Sequence, residues 1–202
     1  MISTVCIYFL TTIGFMGRWQ SGSAERLVEA AIELFGRNGF DQTTAEDIAK
    51  EAGLTERTFF RYFSDKREVL FYGADELKEH IKTLLLDAPL DVAPLEAVVG
   101  ALEKAGRIFD ERRDFVKKRQ TVIASNPELL ERELLKLDGI SASMADTLIN
   151  RGVVEQVATV TAEVGMTIFK IAMRNWAVSG GEKALSDTMR GLVEDLRRYW
   201  ML

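Results

Sequence analysis

The sequence predicts an all-α chain: a three-helix head followed by a larger helical domain. Three observations carry this. Apolar residues recur at i, i+3, i+4 and i+7 through nearly every segment. Runs of alternating β-branched residues are scarce, and three prolines in 202 residues leave few positions that bar a helix. Glycine or proline punctuates the pattern at Gly39, Gly53, Pro89, Pro94, Pro127, Gly152 and Gly180-Gly181, which cuts the chain into helix-length pieces. A content of 47% hydrophobic and 28% charged residues fits a folded globular protein with a sizeable core.

Residues 1–17 (MISTVCIYFLTTIGFMG) are apolar and uncharged. They lack the basic start and small-residue cleavage site of a signal peptide. They also fall short of the about 20 residues that span a bilayer. Two readings stand: an upstream extension with Met16 as the true start, or an extended or loosely helical arm leading to Arg18 and Trp19. Ser23–Asn38 reads as the first helix, with Leu27, Ala31, Leu34 and Phe35 on one face. Gly39 ends it and Phe40 packs back.

Thr44 to Lys66 (TAEDIAKEAGLTERTFFRYFSDK) reads as two short helices joined by a tight turn. Thr44 caps the first, which runs from Ala45 to about Ala52, and Gly53 supplies the turn. Thr55 caps the second, Glu56 to Phe63. Ile48, Ala49, Ala52, Leu54, Phe59 and Phe63 converge on a small core. Glu56, Arg57, Thr58, Phe60, Arg61 and Tyr62 point elsewhere. A short helix with one buried seam and an outer face of Arg, Thr and aromatic rings suits the DNA major groove. Lys66, one turn on, is expected at phosphate level.

Ser64 to about Leu86 is expected to be one longer helix, broken by DAPLDVAP (Asp87–Pro94). His80 on it is either a group that hydrogen-bonds a ligand or senses pH, or a plain surface or half-buried side chain. Pro94 to about Asp110 is helical. The following ERRDFVKKRQ (Glu111–Gln120) is either a second anion contact or a charge-laced helix face. Pro127 starts a helix to about Arg151, with Gly139 a candidate kink. The last two helices, about 153–178 and 182–200, each carry an apolar seam: Val157, Val160, Val164, Ile168, Ile171 and Trp176, then Leu185, Met189, Leu192, Leu196 and Tyr199. These seams pack either across a dimer or inward on their own chain.

Charge and sparse residues narrow the function classes. The chain carries a net charge of −5, and Ser23–Glu68 holds seven Lys/Arg against ten Asp/Glu. A nucleic-acid role must therefore rest on the placement of Arg57, Arg61, Lys66 and Arg67, with weak non-specific binding and marked salt sensitivity. The lone Cys6 permits no internal disulfide, which fits a reducing, cytoplasmic setting. With His80 the lone histidine, no metal site is expected. No catalytic or cofactor motif occurs (no GxSxG, GxxxxGK[ST], HExxH or GxGxxG), so neither an enzyme nor a cofactor is expected.

The run from about Ser23 to Leu70 resembles the N-terminal DNA-binding domain of the TetR/AcrR family of transcriptional regulators. The resemblance is carried by AAIELFGRNGF (Ala30–Phe40) and TTAEDIAKEAGLTERTFFRYFSDKREVL (Thr43–Leu70). It implies three parts: an N-terminal extension (1–20), a helix-turn-helix DNA-binding domain (21–67), and a helical effector-binding and dimerisation domain (68–202). It implies that Thr44, Thr55, Glu56, Arg57, Thr58, Phe60, Arg61, Tyr62 and Lys66 approach DNA. Two residues depart from the family pattern: Glu56 stands where a small, polar or basic residue is usual, and Phe60 replaces a common tyrosine. The resemblance further implies a homodimer through the last two helices, a palindromic double-stranded operator, and a hydrophobic or amphipathic small-molecule effector that releases a repressor. No membrane partner is implied, and the ligand-binding residues are unknown. From Arg112–Lys136 through Arg151–Val153 to the Trp176 region, the chain also looks like the C-terminal domain of regulators similar to the mycofactocin-system repressor. The competing reading is a helical ligand- or partner-binding protein of the same fold without specific DNA binding.

Overall fold

A computed structural model describes residues 22–179 and 183–200. The N-terminal extension, with Cys6, Met16 and Arg18, and the Gly180-Gly181 break lie outside the described residues. Within them the chain is all-α, with nine α-helices and one 3-10 turn. These are α1 (Ser23–Asn38), α2 (Ala45–Glu51), α3 (Glu56–Tyr62), α4 (Ala74–Leu86), α5 (Pro94–Glu111), α6 (Arg113–Ala124), α7 (Pro127–Asn150), α8 (Glu155–Val178) and α9 (Leu185–Trp200). The described residues form two compact units: residues 22–73 with 117–133, and residues 74–116 with 134–179 and 183–200.

The first unit is built on the apolar face of α1. Leu27, Ala31, Leu34 and Phe35 are buried there, as are Ile48 and Ala49 of α2 and Phe59 of α3. Fully burying a side chain such as Ile48 or Phe59 contributes about 1.5–3 kcal/mol. After α3 the expected long helix does not form. The Asp65 carboxylate instead accepts from the Arg67 and Glu68 amides. A 3-10 turn follows at Glu68–Phe71. Gly73 then takes φ +84°, which ends the turn before α4 begins. Residues 117–133 close this unit. Arg119 donates to the Leu70 carbonyl at 2.6 Å and to Glu133 at 2.7 Å, and Arg132 pairs with Glu68. Both guanidinium groups flank the buried Phe71 ring, at 5.5 and 5.9 Å from its centre. Lys118 pairs with Glu33. Much of the basic run is thus spent on structural contacts.

The second unit packs α4, α5, α8, α9 and the C-terminal part of α7 around Ile81, Leu85, Val98, Leu102, Met144, Leu148, Met166, Trp176, Leu185 and Met189. Pro94 occupies the first turn of α5, where its missing N–H costs nothing. α5 and α8 approach closely at Gly165, where a Cβ would stand 2.3 Å from Val98 Cγ1. Arg151 closes the end of α4, donating to the carbonyls of Leu85, Ala88 and Pro89 at 2.7–2.9 Å. Asp110 accepts from Trp176 Nε1 and from the Leu185 amide, each at 2.9 Å, and so ties α5 to α8 and α9. Gly139 lies inside one continuous α7 with no interruption.

The two C-terminal seams part company. Leu185 and Met189 of α9 are fully buried in the unit's own core, with Leu192 and Leu196 packed against it. On α8, Ile168 and Trp176 also face inward, whereas Val157 and Val160 lie on the exposed side. The inward reading holds for most of α9, and α8 is apolar on two faces.

Candidate nucleic-acid interface

Local hydrogen bonding sets the ends of α2 and α3. At the start of α2, Thr44 and Asp47 form a reciprocal capping box. The Asp47 amide donates to Thr44 Oγ1 at 3.1 Å, and the Thr44 amide donates to Asp47 Oδ2 at 3.0 Å. The Thr44 hydroxyl also donates to Asp47 Oδ2, at 2.7 Å. These bonds hold the Asp47 carboxyl below its usual range. At the end of α2, the Leu54 amide reaches the Ala49 carbonyl and the Gly53 amide that of Lys50. With Gly53 at φ +66°, this is a Schellman turn, and it sets the angle at which α3 leaves.

Thr55 then caps α3. Its Oγ1 accepts from the Thr58 amide at 3.2 Å and shares a 2.9 Å hydrogen bond with the Thr58 hydroxyl. Phe59 and Phe63 anchor the inner side, with ring centres 5.4 Å apart. Opposite them Glu56, Arg57, Phe60 and Arg61 are exposed. Phe60 is 52% exposed, so it is a surface ring and not part of the core. Arg61 donates to the Tyr62 hydroxyl at 3.1 Å, with its guanidinium 4.9 Å from that ring's centre.

The structure therefore brings Glu56, Arg57, Thr58, Phe60, Arg61 and Tyr62 onto one seven-residue helix with Thr55 as its cap, and puts Thr44 at the head of the helix before it. Lys66 is engaged differently from the sequence-based expectation. Its ammonium donates to the carbonyls of Phe40 at 2.8 Å, Thr43 at 3.0 Å and Asp41 at 3.3 Å, and stands 4.4 Å from the centre of the Phe40 ring. An ammonium has three N–H donors. A phosphate contact would come at the expense of one of these bonds. Sequence reasoning also missed Asp47 and Asp65. The Thr-x-x-Asp spacing at Thr44–Asp47 could have revealed the first; the second depends on a turn that the periodicity concealed.

Among the described residues no group of three His, Cys, Asp or Glu side chains could hold a metal ion, and no helix is long and apolar enough to cross a membrane.

The chain is similar to known regulators. The family model for bacterial regulatory proteins of the tetR family matches residues 27–72. MftR of Mycobacterium tuberculosis, whose name assigns it to transcriptional regulation of mycofactocin biosynthesis, is 33% identical over 117 residues, 56% of this chain and 58% of that protein. The HTH-type transcriptional regulator TcmR of Streptomyces glaucescens is 26% identical over 86% of this chain and 82% of its own length. Among solved structures, Thermus thermophilus FadR, a TetR-family repressor in complex with lauroyl-CoA, superposes with a TM-score of 0.54 at 25% identity. That match covers 89% of this chain and 95% of FadR. Bacillus subtilis FadR, in complex with stearoyl-CoA, gives a TM-score of 0.60 at 18% identity over 85% and 96% of the two chains, a likeness of fold alone.

Proposed function

We propose that this chain, a member of the TetR/AcrR family of transcriptional regulators, binds an inverted-repeat operator as a homodimer and represses transcription until a small hydrophobic or amphipathic molecule releases it. The observation that carries this reading is the α2–α3 pair. Caps at Thr44 and Thr55 and the Schellman turn at Gly53 hold a short helix whose outer side offers Glu56, Arg57, Phe60 and Arg61. Such a helix enters the major groove with its first residues at the base edges, while the preceding helix lies across the backbone. Residues 21–67 then read DNA, and 68–202 carry the effector and the dimer contact. A cytoplasmic location follows from DNA as the partner.

The dimer reading is supported by α8. Val157, Val160, Val164, Ile171 and Val178 fall within about 60° of one another around the helix. Val157 and Val160 are 52% and 62% exposed. Val178 is exposed as well, whereas Val164 packs against the chain's own core, so the exposed valines at the two ends of this 24-residue helix support an interface there. The α9 contribution narrows to residues outside its inward seam, Tyr199 among them. The effector reading draws on the acyl-CoA held by the Thermus relative. Release would follow if the effector favours a spacing of the two α3 helices that no longer matches half-sites about 34 Å apart, or a multiple of that.

The test is selection of the full chain, folded and at moderate salt, against random duplex DNA. Enrichment of an inverted repeat is expected. No enrichment would overturn the reading in favour of a helical binding protein that does not read DNA.

A further inference from the structure

The hydrogen bonds already made around α3 decide which side chains are free to read bases. The Thr44 hydroxyl and amide are closed into the capping box with Asp47. The Thr55 and Thr58 hydroxyls are bonded to each other. Arg61 is engaged with Tyr62, and Lys66 with three carbonyls. Phe60 has no polar atom. This leaves Glu56 and Arg57, both exposed, neighbours in the first turn of α3, and without a polar partner among the described residues.

Glu56 is the anomaly, because a carboxylate on a surface meant for a polyanion repels phosphate. At the first position of α3 it is favoured by the positive end of the helix, but against DNA it gains only where a base offers it a donor. In the major groove guanine presents N7 and O6, both acceptors, and thymine presents O4. Adenine offers its N6 amino group beside the acceptor N7, which a carboxylate opposes. Cytosine offers N4–H with no neighbouring acceptor of its own. The planar guanidinium of Arg57 suits the opposite pattern, the paired acceptors of guanine.

We propose that Glu56 is the specificity-determining residue of this protein, reading a cytosine amino group in each half-site beside a guanine read by Arg57. This rests on the DNA-reading role of α3. Glu56 acts twice. It bonds the matching base, and it disfavours every duplex that meets it with acceptors or phosphate. In a head already net negative, that second action keeps non-specific binding weak.

The test compares the full-length wild-type protein with Glu56→Gln and Arg57→Ala. Each is titrated against the wild-type-selected duplex carrying each of the four base pairs at every half-site position, and against a duplex of unrelated sequence. One position should demand cytosine in the wild type, with other bases about 5- to 150-fold weaker. Glu56→Gln should relax that position alone or turn it towards adenine, which glutamine reads through N6 and N7. It should also raise affinity for the unrelated duplex. Arg57→Ala should relax the guanine position and leave the cytosine in place. Identical base preferences for wild type and Glu56→Gln at every position would overturn the proposal while leaving DNA reading intact. A wild-type protein that selects no sequence would overturn both, and the wild-type arm alone reports that outcome.

Discussion

Replacing Lys66 with alanine separates a structural clasp from a phosphate contact. The ammonium gathers the carbonyls of Phe40, Asp41 and Thr43 at 2.8, 3.3 and 3.0 Å, and lies against the Phe40 ring. It thus ties the turn between α1 and α2 to the segment that follows α3. A hydrogen bond to a charged group is worth about 1.5–3 kcal/mol. The three do not add, because Asp41 is exposed and its carbonyl recovers water, and because holding a lysine costs side-chain entropy. Lys66→Ala should therefore destabilise the protein by about 2–3 kcal/mol. For a chain of this size that is a fall in Tm of about 4–12 °C. Urea unfolding measures the free energy, and amide exchange should show faster opening of residues 39–44 and α2. Lys66→Arg should recover only part of the loss, since a planar fork cannot converge on three carbonyls as an ammonium does. Unchanged stability, with a salt slope of DNA binding reduced by about 1, would refute the clasp and return Lys66 to the phosphate backbone.

Two further outcomes follow from other parts of the molecule. Val160→Asp on the exposed side of α8 should shift the protein from dimer to monomer in sedimentation while leaving its helical circular dichroism unchanged; a dimer that persists would move the interface elsewhere. Acid should destabilise in two stages. Burial holds the His80 imidazole below its ordinary 6.5, so the folded state binds fewer protons than the unfolded one and stability falls as pH drops through 6.5. Burial pushes the Asp65 carboxyl up, but hydrogen bonds from the Arg67 side chain and amide outweigh it. Its net depression below 3.8 stabilises the fold above that pH and is lost as pH falls through the folded value. His80→Gln should flatten the first stage and Asp65→Asn the second, both read from unfolding free energy against pH.

The parts legible in the sequence are those decided within a few residues. Thr44, Gly53 and Thr55 announce two helices and the turn between them because caps and a left-handed glycine act locally. Phe59 and Phe63 announce the inner side of α3 by their spacing. The parts that escaped depend on distant partners. Val69, Leu70, Ala74 and Leu77 keep helical spacing across residues 64–86, yet the Asp65 cap and the positive φ of Gly73 divide that stretch. Arg119 and Arg132 look like surface charge until residues 117–133 fold against Phe71. The spacing of Leu185 and Met189 promises an apolar face without saying which neighbour covers it. The close approach of Leu185 Cδ2 to Gly106, where a Cβ would stand 3.1 Å away, shows that α5 does. The position of Lys66 in the motif points to phosphate level, and only the three converging carbonyls give it another task.

The central claim is that two copies of α3 read two half-sites together. It is tested most directly by measuring the mass of the complex formed by the full chain on its selected duplex, then on the same duplex with one half-site scrambled. The account predicts two chains on the intact repeat and a loss of specific binding when either half is scrambled. One chain per duplex, with affinity indifferent to the second half-site, would contradict it.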